Sequence, residues 1–188
     1  QHSDENLTDW DYTIGSVHYV TGPKTGTRYT IDYREEDLWA CLKEFDGDGD
    51  AMAEDYFDAV AQVAVKGPTI LGHFDGITKL NKGNRYFDEE SPRYKELALA
   101  ALHAADPKAS LLEINTGSML KGYRETPYPA KFLLEEWRAM GGRIIMTADA
   151  HAEAGILFGY QEAIDLAKSA GFTHSVLLTS SGMVECPL

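Results

Sequence analysis

The chain has 188 residues, of which 44% are hydrophobic and 11% aromatic, and its formal net charge is −13 at pH 7. This size and composition predict one domain with a sizeable core. The negative charge disfavours nucleic-acid binding, which needs clustered Lys and Arg, and no apolar run reaches the roughly 18 residues of a membrane helix. A polar start without signal-peptide character and two isolated cysteines, Cys41 and Cys186, favour a cytoplasmic location with reduced thiols.

Short apolar runs alternate along the chain with longer helical patterns, which is typical of βα units that form a parallel sheet or barrel. The predicted strands are Tyr12 to Val20, Thr69 to His73, Leu111 to Asn115, Arg143 to Ala148 and Ser175 to Thr179. The predicted helices run from about Glu35 to Phe45, Ala51 to Val65, Pro92 to Ala105, Pro129 to Met140 and Tyr160 to Ala170. Glycines follow several of the helices and support these ends. The pattern predicts an α/β fold.

Five such units do not complete an eight-stranded barrel, and the sequence begins at Gln1 without an initiating Met. We therefore expect further βα units upstream of this sequence. An open parallel edge has unpaired backbone groups, so we expect a missing N-terminal segment or another chain to complete the barrel.

Histidine and aspartate residues follow three of the predicted strands. His18 closes the run 11–18 near the end of the first strand, His73 ends the second, and Asp149 and His151 follow the fourth. The carboxyl ends of parallel strands meet at one face, and imidazole and carboxylate groups suit zinc, manganese or iron. One histidine after a strand is more often structural, but three coincidences favour a metal site, with Asp149 and His151 expected on one side of an extended segment. Three other histidines are expected to be structural or solvent-exposed: His2, His103 and His174.

The acidic segment from Asp46 to Asp50 is superficially similar to a calcium-binding loop. An EF-hand needs Gly at the sixth position and Glu at the twelfth, where this sequence has Ala51 and Phe57. We reject the calcium site and expect Asp50 to cap the helix that begins near Ala51.

Four segments resemble successive motifs of the PHP (polymerase and histidinol phosphatase) family, in the family's order. They are DYTIGSVHYV at 11–20, TILGHFDGITKLN at 69–81, LLEINTGSMLKGYRETPYP at 111–129 and TADAH at 147–151. The resemblance implies part of a distorted (β/α)7 TIM-like barrel that binds up to three divalent metals at its strand ends. It assigns His18 and His73 to one shared metal, Asp149 to a second metal and His151 to a third.

The N-terminal motifs of that family are not present in this sequence. An HxH pair, a TDH-type motif and a bridging glutamate would precede residue 11. The resemblance therefore implies that residues 1–188 are the incomplete, C-terminal part of a single PHP-type domain, and the activity of this chain alone stays open.

The resemblance implies a phosphoric monoester hydrolase that converts L-histidinol phosphate and water to L-histidinol and phosphate in histidine biosynthesis. Clustered divalent metals would neutralise the phosphoryl oxygens and supply a metal-bound hydroxide as the nucleophile. Lys121 and Arg124 are the best candidates to bind the phosphate; at position 121 related sequences often carry arginine, whereas lysine offers only a point charge. Asn115 could contact the ligand or stabilise a turn. Lys79 and Arg85 are weaker candidates, for which a solvated surface role is favoured.

Two alternatives remain open from the sequence. One is a PHP phosphoesterase with another small phosphorylated substrate or a phosphoprotein, for instance a nucleotide phosphatase. The other is a non-catalytic, metal-stabilised PHP-like module, which the missing N-terminal motifs keep possible.

Overall fold

The computed structural model describes residues 10–188 as a mixed α/β fold built on a mainly parallel six-stranded sheet. The strands are β1 Ile14–Gly15, β2 Tyr19–Thr21, β3 Arg28–Thr30, β4 Ile70–Leu71, β5 Leu111–Asn115, β6 Arg143–Thr147, β7 His174–Thr179 and β8 Gly182–Pro187. The helices are α1 Glu35–Glu44, α2 Gly49–Ala64, α3 Pro92–His103, α4 Gly117–Leu120, α5 Lys131–Ala139 and α6 Tyr160–Ser169. The predicted α/β class is confirmed.

The six-stranded sheet has the order β1-β4-β5-β6-β7-β8, and only the β7–β8 pair is antiparallel. The middle strand β5 is buried at all five positions, as expected for a parallel strand covered on both faces. Its last residue, Asn115, pairs with Thr147 at the end of β6. The two strands therefore end level with each other, and the residues that follow them are brought together.

The main hydrophobic core lies between the helices and the sheet. Trp137 of α5 and Leu102 of α3 are fully buried. Tyr56 and Phe57 of α2 pack edge to face on each other, and the Tyr56 hydroxyl donates a hydrogen bond of 3.1 Å to the carbonyl of Phe74. Core packing thus supports the backbone directly after His73.

Helix caps follow the local sequence, with one correction. Ser91 caps α3 by accepting a hydrogen bond from the amide of Tyr94 at 3.1 Å, and Pro92 occupies the first turn. For α2 the cap is Asp48, whose side chain accepts from the amide of Ala51 at 3.0 Å. The predicted cap, Asp50, lies inside the first turn, because the helix begins two residues earlier than expected.

The predicted strand from Tyr12 to Val20 was too long. Only β1 joins the large sheet, and the chain then turns into a separate hairpin of β2 and β3. Glu44 holds the hairpin loop, since one carboxylate oxygen accepts from the amides of Lys24 and Thr25, each at 3.0 Å. The edge strand β8, which follows the turn at Ser180 and Ser181, was not predicted.

The remaining sequence-based expectations concern three histidines outside the proposed site, the two cysteines and membrane-spanning helices. His103 pairs with Glu136 at 2.7 Å on the surface, His174 is exposed at the start of β7, and His2 lies outside the described residues. Cys41 and Cys186 are both free thiols. Between residues 10 and 188, no helix has both the length and the apolar character needed to cross a membrane.

Candidate active site

A cleft of about 270 Å³ lies where strands β4, β5 and β6 end. Its polar lining comes from the segments that follow those strands and from Asp32, which follows the β2–β3 hairpin. The carboxyl ends of parallel strands are the usual place for functional groups in α/β folds. Four of its side chains can carry the chemistry expected at this face: His73, Lys121, Asp149 and His151.

His18 lies beside this cleft and contacts His73. The two imidazole rings meet edge to face with 4.8 Å between their centroids, and His18 itself lines an adjoining groove. Its Nδ1 donates a hydrogen bond of 2.8 Å to Oδ2 of Asp32. This hydrogen bond raises the pKa of His18 above its ordinary value, against the opposing effect of burial, and it leaves the Nε2 atom free.

Asp32 is the partner that orients His18, and sequence reasoning missed it. Burial by itself would raise the pKa of Asp32, but the hydrogen bond from His18 and the positive charge of Lys79 hold it below its ordinary value. Asp32 is therefore an anion that fixes the tautomer and orientation of the His18 ring, in the way that carboxylates support metal-binding histidines. The run Ile31-Asp32-Tyr33 has no motif that marks Asp32 as functional. Its contact with His18, 14 residues earlier, depends on how the chain folds and could not be predicted from the local sequence.

His73 occupies the floor of the cleft in a rare backbone conformation. Its φ angle is +27°, and its ring packs against the position of Gly76, where an added Cβ would lie 2.8 Å from Nδ1. Burial, reinforced by the positive charge of His18, lowers the pKa of His73, which favours a neutral ring. Its Nδ1 atom is buried and has no hydrogen-bond partner among the described residues.

The Asp149–His151 segment differs from the predicted extended form. Asp149 has φ +45°, in the left-handed region, and Nδ1 of His151 donates a hydrogen bond of 2.8 Å to the Asp149 carbonyl. The expected geometry was wrong, because the chain turns tightly after β6. Both side chains nevertheless line the cleft, and the bond through Nδ1 leaves Nε2 of His151 available.

The two cations predicted to bind phosphate, Lys121 and Arg124, lie in different surroundings. Lys121 lines the cleft, and so does Lys79, which was rated the weaker candidate. Arg124 is only 16% exposed, and its Nη1 bonds to Glu89 at 3.2 Å and to the Thr78 carbonyl at 3.1 Å. In this conformation its guanidinium is therefore engaged away from the cleft lining.

Asn115 and Arg85 are also engaged in contacts within the protein. The Asn115 amide donates to Glu113 Oε2 at 3.0 Å, and its oxygen accepts from the amide of Gly117 at 2.8 Å. These bonds favour the turn-stabilising alternative, although Asn115 does line the cleft. Arg85 forms a surface ion pair with Glu35 at 2.9 Å.

Metal binding can be judged from the donor groups at this site. Over residues 10–188, no group of three His, Cys, Asp or Glu side chains is arranged to hold a metal ion. The donors that are present still fit a divalent cation in kind, because His73 has a buried ring nitrogen without a partner and Asp149 and His151 share its cleft. Three of the four predicted ligands therefore share one cleft and His18 lies beside it, but within residues 10–188 they do not make a complete metal site.

Comparisons with known proteins agree with the sequence motifs. A Deinococcus radiodurans protein named "Probable histidinol-phosphatase" is 27% identical over 170 residues, which make up 88% of this chain and 56% of that protein. The crystal structure of a Listeria monocytogenes protein provisionally assigned as the histidinol phosphatase hisK matches with a TM-score of 0.63 and 18% identity. That match covers 82% of this chain and 60% of the Listeria chain. No protein-family model matches the sequence.

The chain therefore spans little more than half the length of these two relatives, 56% and 60%. The structural match, at 18% identity, shows a shared fold alone. The sequence match confirms the resemblance to histidinol phosphatases that the four motifs predicted.

Proposed function

From this similarity to histidinol phosphatases, we propose that the protein is a metal-dependent phosphoric monoester hydrolase that acts on L-histidinol phosphate in histidine biosynthesis. The observation that carries the proposal is the cleft that His73, Asp149 and His151 share with Lys121. Metal-type ligands and a cation for phosphate occur there side by side, at the strand ends. A cytoplasmic location is part of this proposal.

Four side chains would hold the metals: His18, His73, Asp149 and His151. Divalent cations bound there would lower the pKa of a water molecule and neutralise phosphoryl oxygens, which is the chemistry that phosphomonoester hydrolysis needs. Zinc, manganese and iron all suit this set of nitrogen and oxygen donors. His18 and His151 each hydrogen-bond through Nδ1, so their Nε2 atoms are not used in those bonds, and the lowered pKa of His73 favours a neutral ring. Metal binding at His18 would displace a proton from its ring, because the bond to Asp32 raises its pKa.

The substrate would be bound through its charges. Lys121 and Lys79 would bind the phosphoryl oxygens as point charges, and Asp32 would hold the His18 ring in place. Arg124 would reach the phosphate only after leaving Glu89, so we assign it the smaller share of phosphate binding. Asn115 would keep the backbone after β5 in its turn and thereby position the segment that carries Lys121.

We also propose that this chain is part of a single PHP-type domain, built as a (β/α)7 TIM-like barrel. β1 is the outermost strand of the sheet, and within the described part of the chain its second edge pairs with no strand. An upstream segment or another chain would pair with that edge and supply the remaining metal ligands.

Phosphate release from L-histidinol phosphate tests the function. We expect turnover with added manganese or zinc, loss of turnover with a chelator, and at most weak hydrolysis of nucleoside monophosphates and phosphopeptides. Alanine at His73, Asp149 or His151 should abolish activity, whereas His103→Ala, which removes a surface histidine, should keep it. Hydrolysis of another phosphoester in preference to histidinol phosphate would refute the substrate and keep the reaction class.

A non-catalytic, metal-stabilised module is the second candidate. It is favoured by the lack of a complete three-residue metal group within residues 10–188. Such a module would bind manganese and gain thermal stability without hydrolysing any ester in the panel. Metal-dependent turnover of any phosphoester would exclude it.

A further inference from the structure

Glu113 is a buried carboxylate that lies behind the cleft and hydrogen-bonds to two of its lining residues, His73 and Asn115. It lies in β5 with only 4% of its surface exposed. Its Oε2 accepts from the amide of His73 at 2.6 Å and from Asn115 Nδ2 at 3.0 Å. Its Oε1 accepts from the hydroxyl of Thr147 at 2.6 Å. One side chain therefore bonds to the ends of three neighbouring strands, β4, β5 and β6.

The hydrogen bond from the His73 amide to Glu113 stabilises a strained backbone conformation at His73. A φ of +27° is rare for a residue with a Cβ, and such conformations persist only where the surroundings enforce them. The preceding residue, Gly72, packs closely against the β1 region: an added Cβ would lie 2.5 Å from Oγ of Ser16 and 3.0 Å from Cγ2 of Ile14, but 3.4 Å from Oε2 of Glu113. The backbone before His73 is therefore confined by the β1 region on one side, while Glu113 accepts from the His73 amide on the other.

The contacts of Glu113 indicate that its role depends on the length and orientation of its side chain and not on pairing with a positive charge. All three donors are neutral groups, and within residues 10–188 no Lys or Arg forms an ion pair with Glu113. Nor does Glu113 belong to the lining of the cleft. It therefore acts on the site only through the residues that it holds.

We infer that Glu113 is a positioning residue that fixes the backbone of His73, and with it the ring that faces the cleft, relative to the ends of β5 and β6. This inference rests on the proposed function for its effect on metal binding and turnover. Its structural half, the control of the His73 backbone, stands on the hydrogen bonds alone.

Two substitutions distinguish the effect of side-chain length at position 113 from the effect of its negative charge. Glu113→Gln keeps the length, and its amide oxygen can accept from His73 while its NH₂ faces the Thr147 hydroxyl, which can turn to accept. Glu113→Asp keeps the charge but is one methylene shorter and cannot reach both neighbouring strands. Glu136→Gln is the matched control, because it makes the same change at a surface carboxylate that pairs with His103.

The readouts are manganese affinity by calorimetry, kcat and KM for histidinol phosphate, and hydrogen exchange of the His73 amide by NMR. We expect Glu113→Asp to lose about 10–100-fold in manganese affinity or kcat, the usual effect of removing a group that supports a metal ligand. Its His73 amide should exchange faster than in the wild type. Glu113→Gln and Glu136→Gln should stay close to the wild type in all three measurements.

A loss in Glu113→Gln that equals or exceeds the loss in Glu113→Asp would overturn the inference, because side-chain reach alone would then not explain the role of Glu113. Wild-type behaviour of both would overturn it too. If the wild-type protein neither binds manganese nor hydrolyses any phosphoester, the proposed function fails, and the exchange of the His73 amide still decides the structural half. Thermal unfolding of each variant verifies that the comparison is made between folded proteins.

Discussion

Replacing Asp32 by alanine removes the carboxylate that orients His18. The substitution should lower activity strongly and the free energy of unfolding only slightly. The hydrogen bond between His18 Nδ1 and Asp32 is 2.8 Å long and fixes which ring nitrogen faces away from the carboxylate. Without it the ring can rotate and change tautomer. We expect the variant to bind metal and hydrolyse substrate poorly while it remains folded.

The two effects differ in size for a structural reason. Loss of a carboxylate behind a metal-binding histidine typically costs about 10–100-fold in affinity or activity, or roughly 1.4–2.7 kcal/mol. For folding, the pair counts as partly exposed, since the side chains of His18 and Asp32 are 47% and 21% accessible. Such pairs contribute about 0.2–1 kcal/mol, which lowers the melting temperature of a chain of this size by no more than about 4 °C.

Manganese titration calorimetry, phosphate release and thermal unfolding measure these effects on one preparation. Asp37→Ala is the matched control: Asp37 accepts a hydrogen bond from the Thr30 hydroxyl at 2.6 Å in the same region, and it should lose some stability but no activity. Asp32→Asn should fall between the wild type and the alanine variant, because the amide oxygen still accepts from Nδ1. Full activity of Asp32→Ala would refute the role given to this carboxylate.

Two further outcomes are expected. Lys121→Met should raise KM for the phosphoester about tenfold, because it removes the charge proposed to bind the phosphate. Lys82→Met, at an exposed lysine 4.0 Å from Glu125, should leave KM unchanged, and steady-state kinetics measure both. Burial, together with nearby carboxylates, raises the pKa of Cys41 to about 12, so very little of this buried thiol is thiolate at neutral pH. Maleimide should therefore label the partly exposed Cys186 first, as peptide mass spectrometry would show. Equal KM values for the two lysine variants, or faster labelling of Cys41, would contradict these expectations.

The sequence predicted the parts of the fold that depend on local pattern. The run Leu111 to Asn115 is apolar at most positions and flanked by helical segments, so the position of β5 was predicted correctly. His73, Asp149 and His151 come at or just after the ends of predicted strands and were for that reason expected at one face; all three line the cleft. Asn115 was named only from the resemblance to the PHP family.

Long-range contacts and unusual backbone conformations could not be predicted in this way. Asp32 reaches His18 because a hairpin folds back, and Glu113 reaches His73 across 40 residues of sequence. The left-handed turn at Asp149 has only a weak local signal, since aspartate adopts this conformation more often than most residues but still at few positions. The missed hairpin did have a signal, because Gly22 and Gly26 mark a turn between short polar and β-branched runs.

Anomalous diffraction from crystals grown with manganese or zinc would test most directly whether this cleft is a metal site. We predict a peak at the metal's absorption edge inside the cleft, within bonding distance of His73 and of Asp149 or His151. The absence of such a peak from the cleft in crystals of metal-saturated protein would contradict the proposed function. A metal coordinated only by residues elsewhere would contradict it too.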